Sequence, residues 1–312
     1  MKTLLIIGGT GFFGNSILKY FSNTTSLKKK FNKLIIISRN NFGKFDYFKK
    51  LKKNYKVLKI NCDILKIKKL PYADYVIYVS LLKNFKKDHL AIKNYINLAK
   101  LYHRTSKILY TSSGAVYGKQ NNNTKSFKEN YLDSNKKNTF GRSYKEEYSY
   151  TKLKNERLFK QLAESGLNVS IARCFTFVGE FILTKCNLVI GDIIQNILDK
   201  KDIVVKANYK VIRSYMFSDD LTRWLLKILY TSNTNCPIFN VGSDDSISIH
   251  KLAEFLAKKY KVKIKKLDKI SNVVIDKYVP NVQKAKKQLK LRVISNSYDS
   301  VVKTIRLIKS SN

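Results

Sequence analysis

No apolar run in the 312-residue sequence approaches the roughly 20 residues that cross a bilayer, so a membrane-spanning helix is not expected. The four cysteines, Cys62, Cys174, Cys186 and Cys236, form no CxxC pair, and the three histidines are far apart. These spacings argue against a disulfide framework or a zinc site; reduced, mostly buried thiols and no metal are expected. No internal repeat is visible. Acidic residues are scarce, with 22 Asp and Glu against 61 Lys and Arg and a net charge of +39. Such an excess raises nucleic acid or an anionic membrane as a partner. The lysines, however, are spread along the whole chain among Asn, Ile and Tyr, as a compositional bias would spread them. They would attract anionic substrates and adsorb nucleic acid weakly in a salt-sensitive way, without a specific nucleic-acid or membrane partner.

What is present is globular. Hydrophobic residues make up 44% of the chain, and its length suits one large α/β domain, alone or with a smaller appendage. The opening "MKTLLIIGGTGFFG" superficially resembles a signal peptide, but its apolar core is short and runs into spaced glycines. A cytoplasmic protein is expected.

Short β-branched runs ("KTLLIIGG", "KLIIISR", "YKVLKIN", "ADYVIYVS", "SKILYTSS") alternate with helix-period segments ("FFGNSILKYFSN", "FKKDHLAIKNYINLAKLYH"). That alternation predicts βαβ units and a Rossmann-type, doubly wound parallel sheet. Residues 119–147 are polar and aperiodic and read as a long surface loop. A helix is expected over 148–166, stopped by Ser165-Gly166, then the strand "NVSIARCF". Later segments predict helices near 188–200, over 219–230 and in "SISIHKLAEFLAKKY", a strand at 203–206 and a lysine-rich helical end. The division expected is a dinucleotide-binding domain over 1–180 and a smaller α/β substrate-binding region over 181–312. Part of 203–232 is expected to return to the first domain.

Three stretches carry chemistry. Gly8, Gly11 and Gly14, with Phe12 and Phe13 between the last two, form a G-x-x-G-x-x-G run between the first strand and helix. Glycines there permit a tight turn and a close backbone approach to a pyrophosphate at the helix N-terminus. At the end of the second strand, Ser38-Arg39 stand where NAD sites place an acid. An Arg there suits a 2′-phosphate, so NADP(H) is favoured and NAD(H) is the alternative. Asp63, after the third strand, is placed to meet the adenine end. In "YSYTK", Tyr148 and Lys152 are four apart and share one helix face. A phenol is a poor base at neutral pH, and a nearby ammonium favours its phenolate, which can then exchange a proton with a substrate alcohol or carbonyl.

The order of glycine run, "TSSGAVYG" (111–118), then Tyr148-x-x-x-Lys152 resembles the extended short-chain dehydrogenase/reductases. More narrowly it resembles their nucleotide-sugar epimerase/dehydratase branch. The likeness continues through Glu156, "ARCFTFVGE", "RSYMFSDDLTRWL", "IFNVGSDDSISIHKLAEFLA" and "YVPNVQKAKKQL". It implies that Ser113 is the hydroxyl beside Tyr148 at the reacting sugar oxygen, and that Lys152 also holds the nicotinamide ribose. It implies a nucleotide-diphosphate contact for Arg213 and a substrate-binding role for Asn187, which opens a helix with Leu188. The pattern departs at Thr176, where an Asn is usual, at Glu180, where a Pro is usual, and at Gly114-Ala115. Those last two positions carry the Asp-Glu pair of 4,6-dehydratases. The resemblance thus implies oxidation or reduction at C4 of a nucleotide-linked hexose, in a homodimer paired through helices near 86–103 and 148–166. A 4-keto-6-deoxy-sugar reductase is the leading version and a 4-epimerase with bound NAD the second. A catalytically idle, RNA-binding relative is the reading of another class, disfavoured by intact Ser113, Tyr148 and Lys152.

Overall fold

Strand β1 (Lys2–Ile7) buries Leu4, Leu5, Ile6 and Ile7 in succession. An unbroken apolar run of this kind suits a parallel strand covered on both faces. The computed structural model describes residues 1–40, 45–118, 120, 126–134, 143–184, 188–266 and 271–311. After β1 come helix α1 (Phe12–Asn23), β2 (Phe31–Ser38), α2 (Asp46–Asn54) and β3 (Lys56–Asn61). β4 (Tyr75–Tyr78), α3 (Phe85–Tyr102), β5 (Lys107–Ser113), the single turn α4 (Tyr131–Ser134), α5 (Tyr144–Glu164) and β6 (Asn168–Cys174) follow. Next are β7 (Phe177–Val178), α6 (Val189–Leu198), β8 (Ile203–Val205), β9 (Tyr209–Ser214), β10 (Met216–Phe217) and α7 (Ser218–Tyr230). The chain closes with β11 (Ile238–Val241), β12 (Ser246–Ser248), α8 (Ile249–Tyr260), β13 (Ile264–Lys266), β14 (Ser271–Tyr278), α9 (Gln283–Leu289) and α10 (Ser297–Ser311).

Seven strands form one parallel sheet in the order β11-β6-β5-β4-β1-β2-β3. The winding direction reverses between β1 and β4, and ligands of such sheets bind outside the strand ends at that reversal. Alternation along β1 sorts the two flanking layers. Leu4 and Ile6 join Ile17 and Phe21 of α1 and Trp224 and Leu225 of α7 on one face. Leu5 and Ile7 join Ala91 and Tyr95 of α3 and Phe159 and Leu162 of α5 on the other. The smaller sheet, β12-β9-β14, packs with α6, α8 and α10 around Ile194, Leu252, Leu256 and Ile305. Helix α7 packs on the large sheet, whereas β8 and β9 lie with the smaller core. Among the described residues no helix is long and apolar enough to cross a membrane.

Two segments differ from the sequence reading. Helix α2 was not anticipated, because six of its nine residues are lysine, asparagine or aspartate and only Tyr47, Phe48 and Leu51 are buried. Of the stretch read as a loop over 119–147, residues 120, 126–134 and 143–147 are described, and they include α4 and the start of α5. Phe127 is fully buried, stacks on Tyr117 at 4.8 Å and bridges to Pro280, and Gln120 bridges to Lys277. Helix α5 starts at Tyr144 rather than 148, set by a capping box in which Ser143 and Glu146 satisfy each other's backbone N–H. A buried ion pair then ties α5 to β6. Arg173 Nη2 donates to Glu156 Oε2 at 2.8 Å, and Arg173 Nη1 donates to Tyr117 Oη at 3.0 Å and to the Glu129 carbonyl at 2.9 Å.

Candidate active site

The glycine turn lies at the reversal between β1 and β4. Gly8 has φ +101°, and a Cβ there would stand 2.6 Å from the Ser80 backbone N. A Cβ on Gly14 would stand 2.5 Å from the Gly8 carbonyl oxygen. The turn is therefore packed against its neighbours at Gly8 and Gly14. Gly11 differs, because its Cβ position is 3.7 Å from the Gly8 carbonyl oxygen, an ordinary contact. Gly11 is the N-cap of α1 with no side-chain cap, so first-turn N–H groups of α1 face the strand ends. This backbone cradle fits a dinucleotide's pyrophosphate, with Phe12 and Phe13 opening the helix behind it.

Thr10 Oγ1 and Ser38 Oγ meet at 2.5 Å, which links the turn to the end of β2. Arg39 follows, exposed, at that strand end. Asp63 stands after β3, where its carboxylate accepts the Leu65 N–H at 3.0 Å, a turn contact.

Ser113 is the last residue of β5 and is 8% exposed; its Oγ accepts the Ala115 N–H at 3.2 Å. Tyr148 and Lys152 come from α5, whose inward stripe continues through Asn155, Glu156, Phe159 and Leu162. The Tyr148 ring packs 5.7 Å from Phe85, and Lys152 Nζ lies 6.0 Å from the Tyr148 ring centre. Lys152 is 4% exposed and donates to Tyr110 Oη at 3.3 Å and to the Thr111 carbonyl at 3.5 Å. Burial opposes its charge, but Tyr110, Tyr148 and Asp88 outweigh that cost and hold the ammonium above its ordinary range.

Asp88 is a residue that the sequence reading missed. It is 1% exposed; its Oδ1 accepts the Leu82 N–H at 2.8 Å and its Oδ2 accepts Asn155 Nδ2 at 3.3 Å. Asn155 Oδ1 lies 2.6 Å from His89 Nδ1. This network fastens the loop after β4 to the α5 stripe that carries Lys152. Asn155 was accessible to reasoning as the position three after Lys152; Asp88 carried no motif.

Toward the smaller sheet, Arg213 of β9 donates from Nη1 to the Ile212 and Asp276 carbonyls, each at 2.9 Å, and from Nη2 to Asp276 Oδ2 at 2.8 Å. These contacts fix the guanidinium plane by its Nη edge. Thr176 is partly buried between β6 and β7, and its carbonyl accepts the Met216 N–H at 3.1 Å. Asn187 lies outside the described residues. Glu180 forms an ion pair with Lys19 of α1. A Cβ on Gly114 would stand 2.6 Å from the Phe175 ring, so Phe175 fills the space that a side chain at 114 would need. Among the described residues no cluster of His, Cys, Asp and Glu is placed to hold a metal ion.

A model of the NAD dependent epimerase/dehydratase family matches residues 4–242. No curated protein matches the sequence. Among solved structures, the chain is similar to a dTDP-glucose 4,6-dehydratase from Bacillus anthracis in complex with NAD, with 14% identity and a TM-score of 0.80 over 100% of this chain and 98% of that one. It is similar to a UDP-N-acetylglucosamine 4-epimerase from Methanobrevibacter ruminantium, with 20% identity and a TM-score of 0.79 over 100% and 99% of the two chains. A UDP-glucuronic acid 4-epimerase from Bacillus cereus shares 17% identity and a TM-score of 0.77 over 99% and 100%. At such identities the likeness speaks for the fold.

Proposed function

We propose, from the premise that this chain belongs to the NAD dependent epimerase/dehydratase family, that it reduces the C4 carbonyl of a 4-keto-6-deoxy nucleotide sugar. The observation that carries this reading is the convergence of Ser113, Tyr148 and charged Lys152 on the strand ends beside the Gly8–Gly14 cradle. A dinucleotide bound there supplies the hydride. Tyr148 gives its proton to O4 as C4 is reduced, and Lys152 stabilises the negative charge that develops on the phenol oxygen. Ser113 hydrogen-bonds O4, and Arg213, on the adjoining smaller sheet, offers donors to the diphosphate. Homodimerisation through the outer faces of α3 and α5 belongs to the same reading.

Dehydration fits these residues poorly, although dehydratases share the fold. Removing water across C5 and C6 needs an acid and a base beyond Tyr148. Gly114 and Ala115 provide neither, and Phe175 takes up the room at 114. A 4-epimerase with bound NAD is the second reading, favoured by the likeness to two 4-epimerases.

Cofactor handling separates reductase from epimerase. A reductase releases its oxidised cofactor each cycle, whereas an epimerase keeps its NAD and returns the hydride to the other face of the sugar. The protein is expected to purify largely free of nicotinamide and to consume NADPH stoichiometrically with a 4-keto-6-deoxy nucleotide sugar, read by absorbance. Purification with tightly held NAD, and interconversion of C4 epimers without added cofactor, would establish the epimerase instead.

NADP(H) is preferred in this reading because Ser38-Arg39 stand at the end of β2 without an acid. Arg39→Asp is expected to shift the ratio of NADPH to NADH affinities by about ten-fold or more toward NADH, roughly the strength of one charge-assisted contact. An unchanged ratio in paired titrations would make Arg39 a surface residue only.

A further inference from the structure

An anion held by backbone N–H groups is repelled by any carbonyl oxygen that turns the same way. Three carbonyls of the turn between β1 and α1 are engaged within the protein. The Gly8 carbonyl accepts the Gly11 N–H at 3.3 Å, and the Gly11 carbonyl accepts the Asn15 N–H at 2.9 Å. The Thr10 carbonyl, between them, is taken by a side chain: Asn15 Nδ2 donates to it at 2.9 Å. Asn15 is 7% exposed, and its Oδ1 accepts the Tyr47 hydroxyl at 2.6 Å. Tyr47 lies on α2, where its ring stacks on Phe45 at 5.4 Å and meets Phe181 edge-on at 5.7 Å. Phe181 in turn follows Glu180, whose carboxylate pairs with Lys19 of α1. Thr10 is thus fixed twice, by its carbonyl on Asn15 and by its Oγ1 on Ser38 Oγ.

We propose that Tyr47 and Asn15 are positioning residues for the dinucleotide: Asn15 draws the Thr10 carbonyl away from the pyrophosphate, and Tyr47 fixes the Asn15 amide in the orientation that does so. The inference rests on the reading of the Gly8–Gly14 turn as a dinucleotide cradle, and adds α2 to its support. An Asn amide carries an acceptor on one side and two donors on the other. Turned over, Asn15 would set its oxygen against the Thr10 oxygen, and that carbonyl would be released toward the anion. A donating phenol selects the orientation with Oδ1 toward it. Burial raises the Tyr47 phenol well above its ordinary range, so it keeps the proton that it donates. The N–H groups of the first turn of α1, which have no partner within the helix, then face the pyrophosphate without an opposing carbonyl from Thr10.

The test measures binding on the full-length protein, by fluorescence titration of NADPH and NADH and by competition with ADP-ribose, which carries the pyrophosphate without the nicotinamide. Tyr47→Phe keeps the ring contacts with Phe45 and Phe181 and removes only the hydroxyl. It is expected to weaken dinucleotide and ADP-ribose alike by roughly two- to ten-fold, the span of one hydrogen bond. Asn15→Ala, which frees the Thr10 carbonyl outright, should weaken both by about ten-fold or more. In kinetics the loss should appear in KM for the dinucleotide, with kcat at saturation within about two-fold of wild type. Because Tyr47 acts through Asn15, adding Tyr47→Phe to Asn15→Ala should cause no further loss. A Tyr47 that serves only the fold would lower the cofactor-free melting temperature and leave both affinities unchanged well below it, which would overturn the inference. Losses that multiply in the double variant, or a loss for the dinucleotide that spares ADP-ribose, would overturn it too. Should Asn15→Ala fail to fold, the two ligands compared in Tyr47→Phe still decide. A wild type that neither retains nor binds a nicotinamide dinucleotide would overturn the cradle itself, and this inference with it.

Discussion

Tyr148→Phe is expected to lower kcat by about 10²–10⁴-fold, the usual share of a positioned acid–base group. The substitution removes one oxygen and leaves the rest of the packing in place. The ring still lies against Phe85 at 5.7 Å and beside Lys152 Nζ at 6.0 Å. Dinucleotide affinity should therefore stay within about two-fold of wild type, because in this reading the pyrophosphate is held by the turn between β1 and α1 and not by α5. Steady-state kinetics and a cofactor titration on the same preparation read both quantities. Retention of more than half of the wild-type activity would remove Tyr148 from the chemistry. A parallel fall in cofactor affinity would instead mean that the phenol helps to hold the dinucleotide.

Tyr148 and Lys152 could be read from the sequence because they obey the same periodicity as the core. On α5 the positions that bury Phe159 and Leu162 continue the stripe of Lys152, Asn155 and Glu156, so a helix placed by its apolar residues also places the lysine. Ser113 was readable for a related reason: it terminates a strand that is buried from Ile108 onward, at the edge where parallel sheets bind ligands. The parallel pairing of the large sheet follows from the same local alternation of strand and helix. What could not be read are pairings between distant segments. Tyr278 comes within 4.7 Å of the Phe175 ring, centre to centre, only because β14 pairs with β9 at Arg213, and nothing near residue 278 announces that register. Asp88 sits one residue before His89 in an ordinary amphipathic helix, yet it is almost wholly buried and compensates the charge of Lys152 from across a helix interface. Phe127 stands between Ser126 and Lys128 in a mostly polar stretch, and one buried ring there leaves no periodic trace. Gly114 read as an absent carboxylate; the structure adds that Phe175 would obstruct one.

Gly11→Val is expected to weaken dinucleotide binding by at least about 100-fold while leaving the fold intact, and the three glycines explain why Gly11 is the position to change. A side chain at Gly8 would collide with Ser80 backbone and adopt an unfavourable φ of +101°, so its loss would report on the turn. A side chain at Gly14 would strike the backbone of Gly8 and Gly9, with the same confusion of folding and binding. Gly11 has extended backbone, φ −80° and ψ 179°, which a β-branched residue adopts readily. Its Cβ would meet protein only at an ordinary 3.7 Å. Valine makes a poorer N-cap than glycine, and that difference costs only about 1 kcal/mol. What the methyl groups of valine would meet is the ligand, because the free N–H groups of the first turn of α1 are useful to a pyrophosphate only at hydrogen-bond distance. The melting temperature without cofactor should therefore stay close to that of wild type, and the stabilisation added by saturating NADPH or NADH should disappear. Unchanged affinity in a fluorescence titration would show that the pyrophosphate does not pass over Gly11. A large fall in the cofactor-free melting temperature would show that Gly11, like its two companions, serves the turn.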